Sequence, residues 1–289
     1  MGANRKTIEY SSVQLSTGSF ITDQDGLERI RSLIVDDIRT AVDNAGARGA
    51  VVAMSGGVDS TVTAALAVEA LGSDRVIGLG LPCHKAEYPG VSEARTIAEG
   101  LGIEFTEIQL RPLLEAFEET VASDLESDVD QDSSGRPHER NHAIGNVIAR
   151  LRMCCAYYTA NRSEWLLGYF TKFGDGAADT CPLGDLYKTE VRALATQIGI
   201  PRRIVNKEPT AGFWADQTDA DELGASYDVI DPLLQRLVDD GESIRDAADA
   251  LGIDRETARS IAWLCAETQH KRATPPTPAI GNRQSNTGW

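Results

Sequence analysis

Residues 50–66 read AVVAMSGGVDSTVTAAL, and the way this stretch folds decides the architecture of the chain. Positions 50–54 form a short apolar run of strand type, and positions 61–71 carry apolar residues at helical spacing in an alanine-rich context. A glycine loop between a strand and a helix leaves backbone N–H groups free at the helix N-terminus, where they can hold an anion. Two familiar nucleotide signatures are missing: no Lys follows Gly57, as GxxxxGK[ST] requires, and there is no GxGxxG. On these residues alone, SGGVDS is either a phosphate-binding loop or a tight turn with a capping Ser or Asp. As a phosphate loop, Gly56 and Gly57 would let the backbone approach a pyrophosphate. Ser55 and Ser60 would then donate hydroxyl hydrogen bonds, and Asp59 would hold Mg2+.

Outward from the loop, strand signals recur at 76–81 and 104–110, with a helix at 91–101 and an amphipathic helix at 25–44 that puts Leu27, Ile30, Leu33, Ile34 and Ile38 on one face. Strand–helix alternation at this spacing predicts an α/β fold built on a doubly wound parallel sheet, Rossmann-like, with helices completing the C-terminal part. In such sheets ligands bind beyond the carboxyl ends of the strands, and SGGVDS stands there. The organisation expected is an irregular segment at 1–24, one domain over 25–274 and a loose tail at 275–289. The polar, glycine- and proline-punctuated stretch 123–140 reads as a loop, as does the glycine-rich stretch 169–186. Further helices are expected from about position 142 into the 150s, and at 189–198, 227–239, 243–251 and 255–268.

The 289 residues carry a net charge of −16, and the only lysines are Lys6, Lys85, Lys172, Lys188, Lys207 and Lys271. An acidic surface of this kind fits adaptation to high salt and equally an ordinary acidic protein. It disfavours nonspecific nucleic-acid binding. The stretch 246–264 imitates a helix-turn-helix, but only Arg255 and Arg259 could face a groove, so two packed helices are expected instead. Five scattered cysteines form no CxxC pair, His84, His138 and His142 stand apart, and no apolar run is long enough for a membrane span. A reducing, cytoplasmic location is the expectation, with no membrane and no nucleic acid among the partners.

Downstream, GNVIARLRM (145–153), TANRSE (159–164), GYFTKFGDGAAD (168–179), LYKTEVRAL (186–194), EPTAGFWADQTDADELGASYDVID (208–231) and ETQHKR (267–272) complete a pattern. With SGGVDS, these segments resemble ammonia-dependent NAD synthetases of the N-type ATP pyrophosphatase superfamily, from about residue 25 to 275. The resemblance implies a ligase: ATP adenylates the nicotinate carboxylate of deamido-NAD, and ammonia displaces AMP to give NAD. It implies ATP contacts at Ala53, Met54, Ser55, Gly56, Gly57, Val58, Asp59, Ser60, Thr159, Lys188 and Thr210. Mg2+ would be held by Asp59 and Glu164, which with Lys188 form the catalytic set. Arg150, Lys172, Asp179, His270 and Lys271 would contact deamido-NAD, and the assembly would be a homodimer. Three of the six lysines fall on these positions, in keeping with a reaction that must bring a carboxylate to an α-phosphate. A glutaminase domain has no room in this length, so free ammonia is the expected nitrogen donor.

One segment departs from the family pattern. RMCCAYY (152–158) leads directly into TANRSE, so roughly ten residues, about a strand and a turn, are missing before Thr159. Ala160 also stands where the family has Gly. Either residues 153–159 supply the strand, which their strand propensity favours, or the sheet loses a member. The alternatives to an active synthetase are a nucleotide-binding protein impaired by this shortening, or a superfamily member amidating a different acid.

Overall fold

A computed structural model describes residues 20–84, 87–122, 137–153, 159–210 and 217–274. The element order is α1 (Gln24–Asn44), β1 (Ala50–Ala53), α2 (Val58–Leu71), β2 (Val76–Gly80), α3 (Tyr88–Leu101), β3 (Glu104–Glu107), α4 (Arg111–Phe117) and α5 (Pro137–Met153). There follow α6 (Arg162–Leu167), α7 (Lys188–Gln197), α8 (Arg202–Val205), α9 (Asp219–Leu223), α10 (Tyr227–Leu234), α11 (Ile244–Leu251), α12 (Arg255–Glu267) and α13 (Gln269–Arg272).

Among the described residues the sheet has three parallel strands in the order β1-β2-β3, with Ala50 opposite Val76 and Ile77 opposite Glu104. Side-chain alternation sends Val52, Met54 and Val76 to one face, where they pack on Ala64 and Ala67 of α2 and Ala94 and Ala98 of α3. The small helix residues let these helices sit close to the sheet. Leu79 and Leu81 point the other way, onto Leu110, Leu114 of α4 and Ile148 of α5. Both faces are therefore covered by helices, as a doubly wound parallel sheet requires. On the far side of α2, Val62 and Leu66 pack against Leu27, Ile30 and Ile34 of α1 and Val191 and Leu194 of α7. Each fully buried aliphatic side chain there contributes about 1.5–3 kcal/mol. A second helical core joins Leu167 of α6, Ile230 and Leu234 of α10, Ala247 of α11, and Ala258 and Ile261 of α12.

Several boundaries differ from those the sequence predicts. α2 begins at Val58 rather than position 61, because Gly57 takes the N-cap position with extended backbone. Val58, Asp59 and Ser60 are thus first-turn helical residues. β3 ends at Glu107, although Ile108 and Leu110 still donate N–H bonds to Gly80 and Pro82 (both 2.8 Å) before α4, with Pro112 in its first turn, takes over. α5 starts at Pro137, so the expected loop over 123–140 is helical in its last four residues. Its other residues, 123–136, lie outside the described set, as does the tail from 275 onward.

α5 continues through Met153, and Thr159 belongs to no regular element. Met153 is therefore helical and Thr159 lies outside any strand, while the rest of the expected replacement strand, 154–158, lies outside the described residues. Near the N-terminus, Phe20 packs edge-on against Tyr187 at 5.5 Å, and Ile21 N–H donates to Glu190 Oε1 (2.8 Å). α11 and α12 form a packed pair joined at Gly252, with Arg255 paired to Asp249. No helix among the described residues is long and apolar enough to cross a membrane.

Candidate active site

At the carboxyl end of β1 the chain turns through SGGVDS into α2. Gly56 has φ +74°, and a Cβ there would meet the carbonyl oxygen of Gly90 in α3 at 2.3 Å. The glycine is thus required by a backbone contact within the protein, whatever the loop binds. Ser55 and Ser60 face each other, with hydroxyls 3.2 Å apart, and Ser60 Oγ also accepts from Ser55 N–H (3.2 Å). No side chain caps the N-terminus of α2. Its first-turn N–H groups and the two hydroxyls are thus of the chemical kind that can receive an anion. Met54 and Val58 are buried in the core, so only their backbone can reach a ligand. Lys207 Nζ donates to Gly56 O (3.1 Å) and lies 3.5 Å from Glu93, which tethers the loop from outside the predicted set.

The second half of the site is TANRSE. Asn161 caps α6: its Oδ1 accepts from Glu164 N–H (3.0 Å), and the Glu164 carboxylate receives the Asn161 N–H (3.4 Å), a capping box. Asn161 Nδ2 donates to Asp59 Oδ1 (2.9 Å), joining the two halves of the site. Lys188, first residue of α7 and 3% exposed, lies between the carboxylates, with Nζ 2.6 Å from Asp59 Oδ2 and 3.0 Å from Glu164 Oε1. It also stands 5.2 Å from the centre of the Tyr227 ring.

Burial pushes the Glu164 carboxyl up to about 7; the Lys188 ammonium opposes this rise, and the charges of Asp59 and Asp219 add to it. Burial by itself pulls Lys188 down, but the attraction of Asp59 and Glu164 outweighs it and holds the ammonium above the ordinary lysine range. Lys188 is thus a fixed positive charge at neutral pH, unable to act as a base. Enclosing such a group is costly in desolvation, so it is poor support for folding and better read as a functional feature. Two carboxylates converge on a single ammonium, a set that carries excess negative charge once Glu164 is ionised. This donor chemistry suits a hard divalent cation that shares its shell with phosphate oxygens. Among the described residues no cluster of three or more His, Cys, Asp or Glu forms a self-sufficient metal cage.

The residues predicted for the second substrate divide differently. Lys172 Nζ donates to His270 O (2.5 Å) and Ala273 O (2.8 Å), and Arg150 Nη2 reaches Lys172 O (3.4 Å). Lys271 Nζ donates to Gly168 O (2.7 Å) and Phe170 O (3.0 Å). These four side chains or backbones come together where α13 closes on residues 168–173. Gly168, with φ +63°, ends α6 in the left-handed conformation, and a Cβ there would strike Thr268 at 2.2 Å. Asp179 and Thr210 are exposed, and Thr159 is half-buried just ahead of Asn161.

Four further features went unread in the sequence. A cavity of about 300 Å3 beyond β2 and β3 is lined by Cys83, Tyr88, Gln109 and Arg111. Arg152 pairs with Glu87, whose Oε2 receives the N–H groups of Cys83 (2.6 Å) and His84 (2.8 Å). Phe173 holds φ +59° with its ring exposed, an unusual backbone for a non-glycine residue. Asp231 is fully buried beneath the site. Arg152 lay inside a quoted motif, and the doubled arginine of GNVIARLRM was the available signal for it.

The family model described as NAD synthase matches residues 30–275, most of the chain. The chain belongs to the NAD synthase family. An NH(3)-dependent NAD(+) synthetase from Methanococcoides burtonii is 40% identical over 85% of this chain and 92% of its own length. That from Pyrococcus furiosus is 41% identical over 81% of this chain and 89% of its own. Among solved structures, an NMN synthetase from Francisella tularensis superposes with a TM-score of 0.73 at 32% identity, covering 88% of this chain and 99% of that one. For a NAD synthase, the loop, the TANRSE turn and Lys188 form one continuous polar site at the carboxyl end of β1.

Proposed function

We propose that the protein amidates deamido-NAD with ammonia at the expense of ATP, releasing NAD, AMP and pyrophosphate. The observation that carries this reading is the convergence of Asp59, Asn161, Glu164 and Lys188 beside the open N-terminus of α2. The ATP pyrophosphate lies against the first-turn N–H groups of α2 and the hydroxyls of Ser55 and Ser60, where the helix dipole favours negative charge. A nicotinate carboxylate oxygen attacks the α-phosphorus as the bond to pyrophosphate breaks. Lys188, held as an ammonium, offsets charge on the oxygens of the transferred group. Ammonia then attacks the acyl carbon, AMP leaves with the transferred carboxylate oxygen, and the amide remains.

Asp59 and Glu164 are the side chains that would hold Mg2+, which supplies charge neutralisation on the phosphates when bound. Lys172, His270, Lys271 and Arg150 shape the deamido-NAD side by fixing α13 against residues 168–173, with Asp179 at its rim. Thr159 and Thr210 flank the ATP side. The assembly is a homodimer, on the strength of the family resemblance.

The likeness to an NMN synthetase supports one competing substrate, the nicotinate mononucleotide. Purified protein given ATP, Mg2+, ammonium and either deamido-NAD or the mononucleotide separates the two. NAD formation matched by AMP, with kcat/KM higher for the dinucleotide, supports the proposal. AMP formation on the mononucleotide alone transfers the reading to that acid. ATP binding with no product from either acid identifies an impaired member.

A further inference from the structure

Asp231 is fully buried in α10 and makes no hydrogen bond to the side chains of Asp59, Glu164 or Lys188 described above. Its Oδ1 accepts from Ser163 Oγ (2.6 Å), and its Oδ2 accepts both Thr189 N–H (2.8 Å) and Thr189 Oγ1 (2.7 Å). Ser163 Oγ in turn accepts the backbone N–H of Lys188 (3.0 Å). Ser163 directly precedes Glu164 and Thr189 directly follows Lys188. One carboxylate therefore ties together the first turns of α6 and α7, the two helices that deliver Glu164 and Lys188. From α7 the carboxylate receives a first-turn backbone N–H and a hydroxyl, and from α6 a hydroxyl, so both of its oxygens are hydrogen-bonded, as a buried carboxylate requires.

An ordinary packing contact would serve the same fold. Asp231 instead occupies a site whose burial is costly unless every oxygen is satisfied, and its three direct donors lie within one residue of Glu164 or Lys188 in the chain. The Glu164–Lys188 contact itself spans 3.0 Å, and errors of about 1 Å in catalytic geometry can cost about a hundredfold in rate. We propose that Asp231 is the positioning residue of the adenylating site, fixing Lys188 against Glu164 through Ser163 and Thr189. This inference rests on the amidation reading above and names a residue that reading does not use.

The test is Asp231→Asn in the full chain, assayed well below its melting temperature. The amide keeps the volume but presents a donor to at least one of the donors that Asp231 now accepts. The expected result is a kcat lower by about tenfold or more, with KM for ATP and for deamido-NAD within about threefold of wild type. Should that variant not fold, Ser163→Ala and Thr189→Val each remove one hydroxyl while leaving the Thr189 N–H bond in place. Each should lower kcat without moving KM, their effects should not multiply independently, and Ser163→Thr should restore the rate.

An unchanged kcat in a folded variant, or a lower melting temperature as the sole effect, overturns the inference. So does a loss confined to KM. Wild-type protein run in parallel separates the two layers of the account. No product from wild type overturns the amidation reading, whereas normal wild-type turnover with indifferent variants overturns the role of Asp231 alone.

Discussion

Lys188 is one of only six lysines in a chain of net charge −16, and its ammonium is enclosed between Asp59 and Glu164. On the proposed reading, Asp59→Asn and Glu164→Gln should each lower kcat by about a hundredfold or more, by removing a carboxylate proposed to hold the metal at the transferring adenylyl group. A steady-state assay with either variant near the wild-type rate would contradict the assignment. The Glu164 carboxyl, raised from 4.5 to about 7, gives a pH signature with a definite sign. Between those values the folded protein keeps a proton that the unfolded chain has lost, so this group's contribution to stability falls as pH rises through that window. The same proton competes with a metal ion, so Mg2+ affinity should increase from pH 6 to 8, by up to about tenfold per pH unit below the carboxyl's own value. Titration calorimetry at several pH values checks this, and a flat profile would count against Glu164 as a ligand. Asp59, Glu164 and Lys188 were legible because the family resemblance gives a role to each of them. Asn161, Ser163 and Asp231 lie in the same segments but were not, because a polar residue in a turn or on an amphipathic helix reads as a cap or a solvent contact.

The elements of the first half of the chain follow closely from apolar periodicity, and the differences lie at their ends. α2 gains a turn because Gly57 can take the extended N-cap conformation, a backbone choice that hydrophobic spacing does not encode. This shift changes the chemistry, since it places Asp59 and Ser60 on a helix rather than in a loop. Gly56 supplies a prediction at this scale. With φ +74° and the Gly90 carbonyl 2.3 Å from any added Cβ, Gly56→Ala should destabilise the protein by about 1–3 kcal/mol and lower ATP affinity. Thermal denaturation and nucleotide titration of that variant provide the check. The C-terminal contact supplies another. Lys172 binds two carbonyls of the segment around α13, so Lys172→Ala should raise KM for deamido-NAD more than KM for ATP. The reverse ranking would place Lys172 elsewhere. The helix over 137–153 was foreseen but its start was not, because Pro137 reads as a loop residue and also suits the first turn of a helix.

At the scale of the whole molecule, the doubly wound sheet was legible from strand–helix alternation, and the departure before Thr159 was legible as a length difference. The helix reaches Met153, a boundary that propensity alone does not set, and residues 154–158 lie outside the described set. The described sheet is β1-β2-β3, and Asn161 nevertheless brings the TANRSE turn against Asp59, so the two half-sites meet. The acidic surface gives a prediction that belongs to the molecule as a whole. If its charge is a salt adaptation, activity should rise with KCl into the molar range as repulsion is screened; inhibition by KCl at every concentration would identify an ordinary acidic protein.

The proposed reaction turns on transfer of an adenylyl group to a carboxylate before ammonia arrives. Deamido-NAD labelled with 18O in its nicotinate carboxylate, turned over with ATP and ammonium, tests it by mass spectrometry of the products. One 18O atom is expected in AMP and the other in the amide of NAD. Label in inorganic phosphate or pyrophosphate, or release of ADP in place of AMP, would contradict it.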